Sequence, residues 1–217
     1  MPQRTIAIGD IHGCAKALAA LIEVINPTED DVIVPLGDYV DRGPQSRSVV
    51  DLLIELVDRC QLIPLLGNHE AMLLEAIESP QVLDAWCRVG GSETVASYGG
   101  TLDEIPFEHL VFLRGLNRYY ETDSHLFVHA NYDASLSLDQ QPDHLLLWEH
   151  VIHTLPPRHR SGKTAIVGHT PQGSGEILDL GHLVCIDTYC VGGGWLTALD
   201  VESGRVWQAN REGELRR

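Results

Sequence analysis

The feature that most restricts the fold is the alternation of short apolar strands and amphipathic helices over the first 70 residues. Predicted strands and helices follow one another at Arg4–Asp10, Cys14–Ile25, Asp31–Asp38, Arg47–Cys60 and Gln61–Asn68. Strands this uniformly apolar are typical of parallel sheets that are buried on both faces. The alternation therefore predicts βαβ units and an α/β fold.

The rest of the chain fits the same fold class. It is predicted to be helical from Ala71 to about Leu116, with breaks at prolines and glycine pairs. Further segments are predicted as strand, helix, strand and a terminal set of antiparallel strands: His125–Asn131, Pro142–Leu155, Thr164–Thr170 and 182–210. No linker or repeat interrupts them, so we expect residues 1–217 to form a single domain.

Composition excludes several classes of function. The 217 residues carry 15 basic and 31 acidic side chains, a formal charge of −16, which argues against nucleic acid and anionic membranes as partners. The five cysteines are odd in number and form no C-x-x-C pair, which indicates a reducing compartment. The N-terminus lacks the pattern of a signal peptide or membrane span. We therefore expect a cytoplasmic protein.

Polar residues follow five of the predicted strands. The strands end in the motifs GDIHG (9–13), GDYVDRG (37–43), GNHE (67–70), VHAN (128–131) and VGHT (167–170). In open α/β sheets, ligands bind in the crevice beyond the carboxyl ends of the strands. Any one motif could be a simple turn, but five together predict a common site at one edge of the sheet.

The residue types in these motifs indicate a metal site. The candidate ligands are carboxylate, imidazole and amide groups without a thiolate: Asp10, His12, Asp38, Asn68, His129 and His169. Such donors suit manganese, iron or zinc. Six ligands exceed the need of one tetrahedral ion, so we expect two divalent ions, with manganese preferred, bridged by Asp38. The bridging water would lose its proton near neutral pH and act as the nucleophile.

Taken in order, the motifs resemble the signature of calcineurin-like metallophosphoesterases, and more narrowly the short bacterial and phage-type branch of the phosphoprotein phosphatases. The resemblance implies a β-sandwich flanked by helices. It assigns Asp10, His12 and Asp38 to the first metal, and Asp38, Asn68, His129 and His169 to the second. It further implies that His69 is the general acid, that Asp41 orients His69, and that Arg42, Asn68 and His69 bind substrate.

Three positions depart from the family pattern. Leu66 and His150 stand where relatives have phosphate-binding arginines, so two of three expected clamps are absent. Tyr189 replaces the usual glycine of a terminal IDTG motif. We expect His150 to be an ordinary helix residue, and Trp86 and Trp148 to be core residues.

Three functions remain open. The first is a dinuclear metal-dependent phosphoesterase that acts on phosphomonoesters, most like a serine/threonine protein phosphatase, by direct attack of a metal-bridging hydroxide. Its substrate would be a phosphorylated protein, a peptide or a small phosphoester. The second is a symmetrical bis(nucleosyl)-tetraphosphate hydrolase, which shares the motifs and fits the missing arginines. The third is an inactive metal-binding scaffold, against which the intact His69 and Arg42 argue.

Overall fold

The computed structural model describes residues 4–217 and contains two five-stranded β-sheets flanked by helices. The first sheet has the strand order β10-β9-β1-β2-β3, with β1 Thr5–Ile8, β2 Val32–Pro35, β3 Gln61–Leu62, β9 Leu196–Asp200 and β10 Val206–Ala209. The second has the order β4-β5-β6-β8-β7, with β4 Tyr120–Glu121, β5 His125–Phe127, β6 Thr164–Val167, β7 Leu178–Asp179 and β8 Leu183–Cys185. The predicted α/β sandwich is confirmed.

The first sheet explains why its strands are apolar throughout. In β1, Ile6 and Ile8 pack among the helices, whereas Ala7 lies in the cluster between the sheets. That second cluster also contains Phe127 and Ile166 from the other sheet. Both faces of β1 are therefore buried, as the continuous apolar pattern predicted. The pairs β1–β2 and β2–β3 are parallel, which confirms the βαβ units.

The second sheet corrects two expectations. The five motif-bearing strands do not share one sheet, because β1, β2 and β3 belong to the first and β5 and β6 to the second. The terminal segment is also not wholly antiparallel, since β8 pairs in parallel with β6. The β9–β10 hairpin is antiparallel as expected. The single-sheet prediction failed because strand periodicity carries no information on which sheet a strand joins.

In residues 4–217, seven α-helices flank the sheets: α1 Ala15–Ile25, α2 Ser46–Leu56, α3 Asn68–Glu78, α4 Pro80–Trp86, α5 Ser92–Ser97, α6 Phe107–Arg114 and α7 Asp143–Trp148. The predicted helix Pro142–Leu155 is wrong beyond Trp148. Glu149 adopts an extended conformation, with φ −86° and ψ 116°, and this ends α7. None of the helices in residues 4–217 has the length and apolar character needed to cross a bilayer.

Candidate metal centre

Loops that follow strands of both sheets meet at one edge of the sandwich. β1 leads to Asp10 and His12, and β2 leads to Asp38. From the second sheet, β5 leads to His129 and β6 leads to His169. Because β2 lies between β1 and β3 in its sheet, Asp38 occupies the central position that its proposed bridging role requires.

Asp38 is the centre of the cluster. Its Oδ2 lies 3.4 Å from His12 Nε2, and its Oδ1 lies 3.4 Å from His129 Nε2. His129 Nε2 is also 3.1 Å from Asn68 Oδ1 and 3.2 Å from His169 Nδ1. These potential ligand atoms lie close enough together to share a bound cation.

Two groups of potential ligand atoms result, and both include Asp38. One group contains Asp38, His12 and His69, and the other contains Asp38, His129 and His169. A carboxylate common to two groups of nitrogen donors can bridge two cations. His69 enters the first group although the sequence assigned it a proton-transfer role.

The imidazole rings are held in the tautomer that binds metals. His12 Nδ1 donates to the carbonyl of Val40 at 2.9 Å, and His129 Nδ1 donates to that of Leu36 at 2.8 Å. His169 instead donates from Nε2 to a backbone carbonyl at 3.2 Å. Each ring thereby presents its other, unprotonated nitrogen to the cluster. Burial lowers the pKa of all three histidines, to about 3 for His12 and His169, which keeps them neutral.

Asp10 lies slightly apart from the two groups. Both its oxygens accept the backbone N–H of His169 at 3.1 Å, which ties the β1 loop to the β6 loop. Burial, and then the nearby carboxylates of Asp187 and Asp38, raise its pKa well above the usual value. Three carboxylates in a buried space favour a positive charge among them. The donor set therefore fits a pair of divalent cations, and Asp187 is a neighbour that the ligand motifs did not predict.

His69 and Asp41 form a buried pair beside the cluster. His69 Nδ1 donates to Asp41 Oδ2 at 2.7 Å, and the pair is almost fully excluded from solvent. Asp41 also accepts hydrogen bonds from Trp86 Nε1 and Thr94 Oγ1, each at 2.7 Å. Burial opposes protonation of His69, but the carboxylates of Asp38 and Asp41 outweigh it and raise its pKa. Trp86, expected only as a core residue, also fixes the carboxylate that orients His69.

Glu70 connects the loops that follow β2 and β3 through hydrogen bonds to their backbones. Its carboxylate accepts the backbone N–H groups of Asp38, Tyr39 and Val40 at 2.8, 2.7 and 3.1 Å. It also accepts that of Gly67 at 3.1 Å, so one side chain holds the loops after β2 and β3 together. The sequence analysis quoted Glu70 in a motif but gave it no role.

The backbone of the site is strained. Among residues 4–217, seven non-glycine residues have positive φ, and five of them belong to the motifs: His12, Asp38, Asp41, Arg42 and His169. Such conformations cost energy and cluster at functional sites. Gly67 is required for close approach, because a Cβ there would lie 2.3 Å from Asp38 Oδ1.

A cavity of about 270 Å³, here called the cleft, adjoins the cluster. Arg42 and His69 line its polar side, and Arg42 Nη1 lies 2.9 Å from His12 Nε2. Met72 and Val89 line its apolar side. The cleft thus brings together all three residues expected to touch substrate, since Asn68 lines it too.

The structure overturns the expectations for two cleft residues. His150 lies beyond the end of α7, lines the cleft, and stacks on the His169 ring with centroids 4.4 Å apart. Trp148 is 48% exposed and lines the same cavity, so it is not a core residue. Leu66, by contrast, packs against the apolar cluster of the second sheet. The extended Glu149, which no helical periodicity could predict, carries His150 into the cleft.

The sequence model of the calcineurin-like phosphoesterases matches residues 3–200. The chain is 31% identical to serine/threonine-protein phosphatase 1 of Salmonella typhimurium, across 90% of each chain. It is 30% identical to the asymmetrical bis(5'-nucleosyl)-tetraphosphatase PrpE of Geobacillus thermodenitrificans, across 88% of each. It also superimposes on a cold-active protein-tyrosine phosphatase of a psychrophilic Shewanella, with a TM-score of 0.72 and 18% identity, covering all of this chain and 80% of the other.

Proposed function

The chain belongs to the calcineurin-like phosphoesterase family. We propose that it hydrolyses phosphomonoesters with two divalent cations bound at the cleft, and that manganese is the preferred metal. The observation that carries this proposal is that Asp38 belongs to both groups of potential ligand atoms, one with His12 and His69 and the other with His129 and His169. When bound, the cations would activate water and polarise the phosphoryl oxygens. Asp10, His12, Asp38, Asn68, His129 and His169 are the proposed ligands.

His69 is the proposed general acid. Its Nδ1 is committed to Asp41, so Nε2 is the nitrogen available to protonate the departing oxygen of the substrate. The Asp41 carboxylate fixes the ring and stabilises its protonated form, as a general acid near neutral pH requires. Arg42 would bind non-bridging phosphoryl oxygens through its guanidinium fork.

We favour a substrate class like that of serine/threonine protein phosphatases. The similarity to serine/threonine-protein phosphatase 1 over 90% of both chains supports it. The alternative substrate is a dinucleoside tetraphosphate that is cleaved symmetrically. The exposed Trp148 in the cleft favours that alternative, because an exposed aromatic face can stack on a nucleobase. The similar PrpE enzyme adds support for this substrate class, although it is named asymmetrical.

The test measures metal content and turnover of phenyl phosphate, whose basic leaving group needs a proton, with manganese. Asp38→Asn should lower both metal content and turnover by orders of magnitude, whereas His69→Asn should lower turnover alone. Asp58→Asn, at an exposed position, is the control. Near-normal turnover in either site variant would refute the mechanism, and a metal-loaded wild type inert on all phosphoesters would support the scaffold. Rates on a phosphothreonine peptide and on diadenosine tetraphosphate then separate the two substrate classes.

A further inference from the structure

A second cavity of about 430 Å³ shares Arg42 with the cleft, since this residue lines both. We call it the basic pocket, and its charged lining residues are Lys16, Arg42, Arg211 and Glu212. The chain carries only 15 basic side chains against 31 acidic ones. The three basic side chains around this cavity therefore contrast with the net negative charge of the molecule.

The cations of this pocket are largely free of carboxylate partners. Among residues 4–217, neither Lys16 nor Arg42 has a carboxylate within 4.0 Å. Arg211 pairs with Glu212 at 2.8 Å, but both side chains are more than half exposed, so the pair is weak. One carboxylate against three cations leaves the basic pocket with net positive charge.

The fold fixes the position of these residues. The loop that carries Arg211 packs on the first turn of α1, because a Cβ at Gly213 would lie 3.0 Å from the carbonyl oxygen of Lys16. The loop before α1 and the loop that carries Arg42 are also in backbone contact, since a Cβ at Gly13 would lie 2.5 Å from the carbonyl oxygen of Gly43. The start of α1 has no acidic residue in its first turn to offset the cations.

We propose that the basic pocket binds a second anionic group of the substrate, a phosphate or a carboxylate, while the scissile phosphoryl group lies in the cleft. Arg42 would stand between the two anions and contact both. This explains how the chain holds an anionic substrate although Leu66 and His150 replace two expected arginines. The inference deepens the proposed function and rests on it for the catalytic part of its test.

The first experiment does not depend on catalysis. Inorganic tripolyphosphate is titrated calorimetrically into full-length protein freed of metal with a chelator, so that the cation site itself is acidic and repels the probe. We expect binding that weakens about fivefold in the double variant Lys16→Gln/Arg211→Gln and fades with added salt. The matched control Arg160→Gln/Lys163→Gln removes the same charge at exposed or ion-paired positions away from the pocket. Absence of binding, or equal weakening by both double variants, would overturn the proposal.

The second experiment identifies the anion. With manganese, kcat/KM is compared for phosphothreonine peptides flanked by glutamate or by glutamine, and for diadenosine tetraphosphate relative to p-nitrophenyl phosphate. If the peptide with flanking glutamates is preferred and this preference disappears in the Lys16→Gln/Arg211→Gln variant, the basic pocket binds carboxylates. If instead the kcat/KM for diadenosine tetraphosphate relative to p-nitrophenyl phosphate falls in that variant, the pocket binds phosphates. If neither ratio changes, the pocket does not serve the substrate and the proposal falls. If the wild-type protein binds tripolyphosphate but hydrolyses none of these esters, the proposed function is refuted, whereas anion binding by the basic pocket still stands.

Discussion

Replacing Asp41 with asparagine removes a charge at a fully buried position without changing its volume. The carboxylate accepts hydrogen bonds from His69, Trp86 and Thr94, each at 2.7 Å. Asparagine can keep its carbonyl oxygen towards His69 and Trp86, while its amide donates to the Thr94 hydroxyl. We therefore expect Asp41→Asn to fold, with a loss of about 1.5–3 kcal/mol for weakened charged hydrogen bonds. For a chain of this length that is a fall in Tm of about 3–12 °C.

The effect on catalysis should depend on the leaving group. A positioned general acid contributes about 10²–10⁴-fold to rate, or about 2.7–5.4 kcal/mol of barrier. Phenyl phosphate releases a basic phenolate that needs the proton from His69, so its kcat should fall by about that factor. p-Nitrophenolate leaves readily without protonation, so the loss on p-nitrophenyl phosphate should be much smaller.

The assay compares kcat on both esters for wild type, Asp41→Asn and the exposed control Asp84→Asn. Metal content is measured on the same samples, because the change should leave the cations in place. Equal losses on both esters at full metal content would show that the His69–Asp41 pair does not deliver the proton.

Two further predictions follow from local geometry and charge. Gly67→Ala places a Cβ 2.3 Å from Asp38 Oδ1 and should lower metal affinity and cost about 1–3 kcal/mol, as overpacking does, whereas Gly173→Ala, with open space around it, should change neither. Metal titration and urea unfolding measure both, and a normal Gly67→Ala protein would contradict the packing argument. The hydrogen bond from Arg4 lowers the pKa of Asp31 to about 2, so its stabilisation is full above the unfolded pKa of about 4 and is lost as the pH falls towards 2. Asp31→Asn should therefore cost about 2 kcal/mol at pH 7 and flatten the acid limb of the unfolding profile, and an unchanged limb would contradict the assignment.

The sequence predicted the α/β fold class and the meeting of the motif loops at one edge, but not which strands share a sheet. Polar motifs after strands locate residues such as Asp10 and His129 by chain order alone, since each motif follows its strand directly. The central place of Asp38 followed from consecutive βαβ units, which put β2 between β1 and β3. The division into two sheets could not be predicted from strand patterns, because both sheets contain short, apolar, parallel strands.

Residues that act through distant contacts were missed. Trp86 and Thr94 reach Asp41 from 45 and 53 positions away, and neither belongs to a motif. The helix predicted over Pro142–Leu155 includes His150, yet the chain becomes extended at Glu149. The local sequence pattern does not indicate this change of conformation.

The candidate ligands come from loops of both sheets, and this links the site to the cohesion of the molecule. A cation held by Asp38 and His129 would connect the two sheets of the sandwich at this edge. Chelation should then loosen this edge first, and amide exchange in the ligand loops should accelerate before the centre of either sheet opens. The proposed metal ligands would therefore also stabilise the packing of the two sheets that position them.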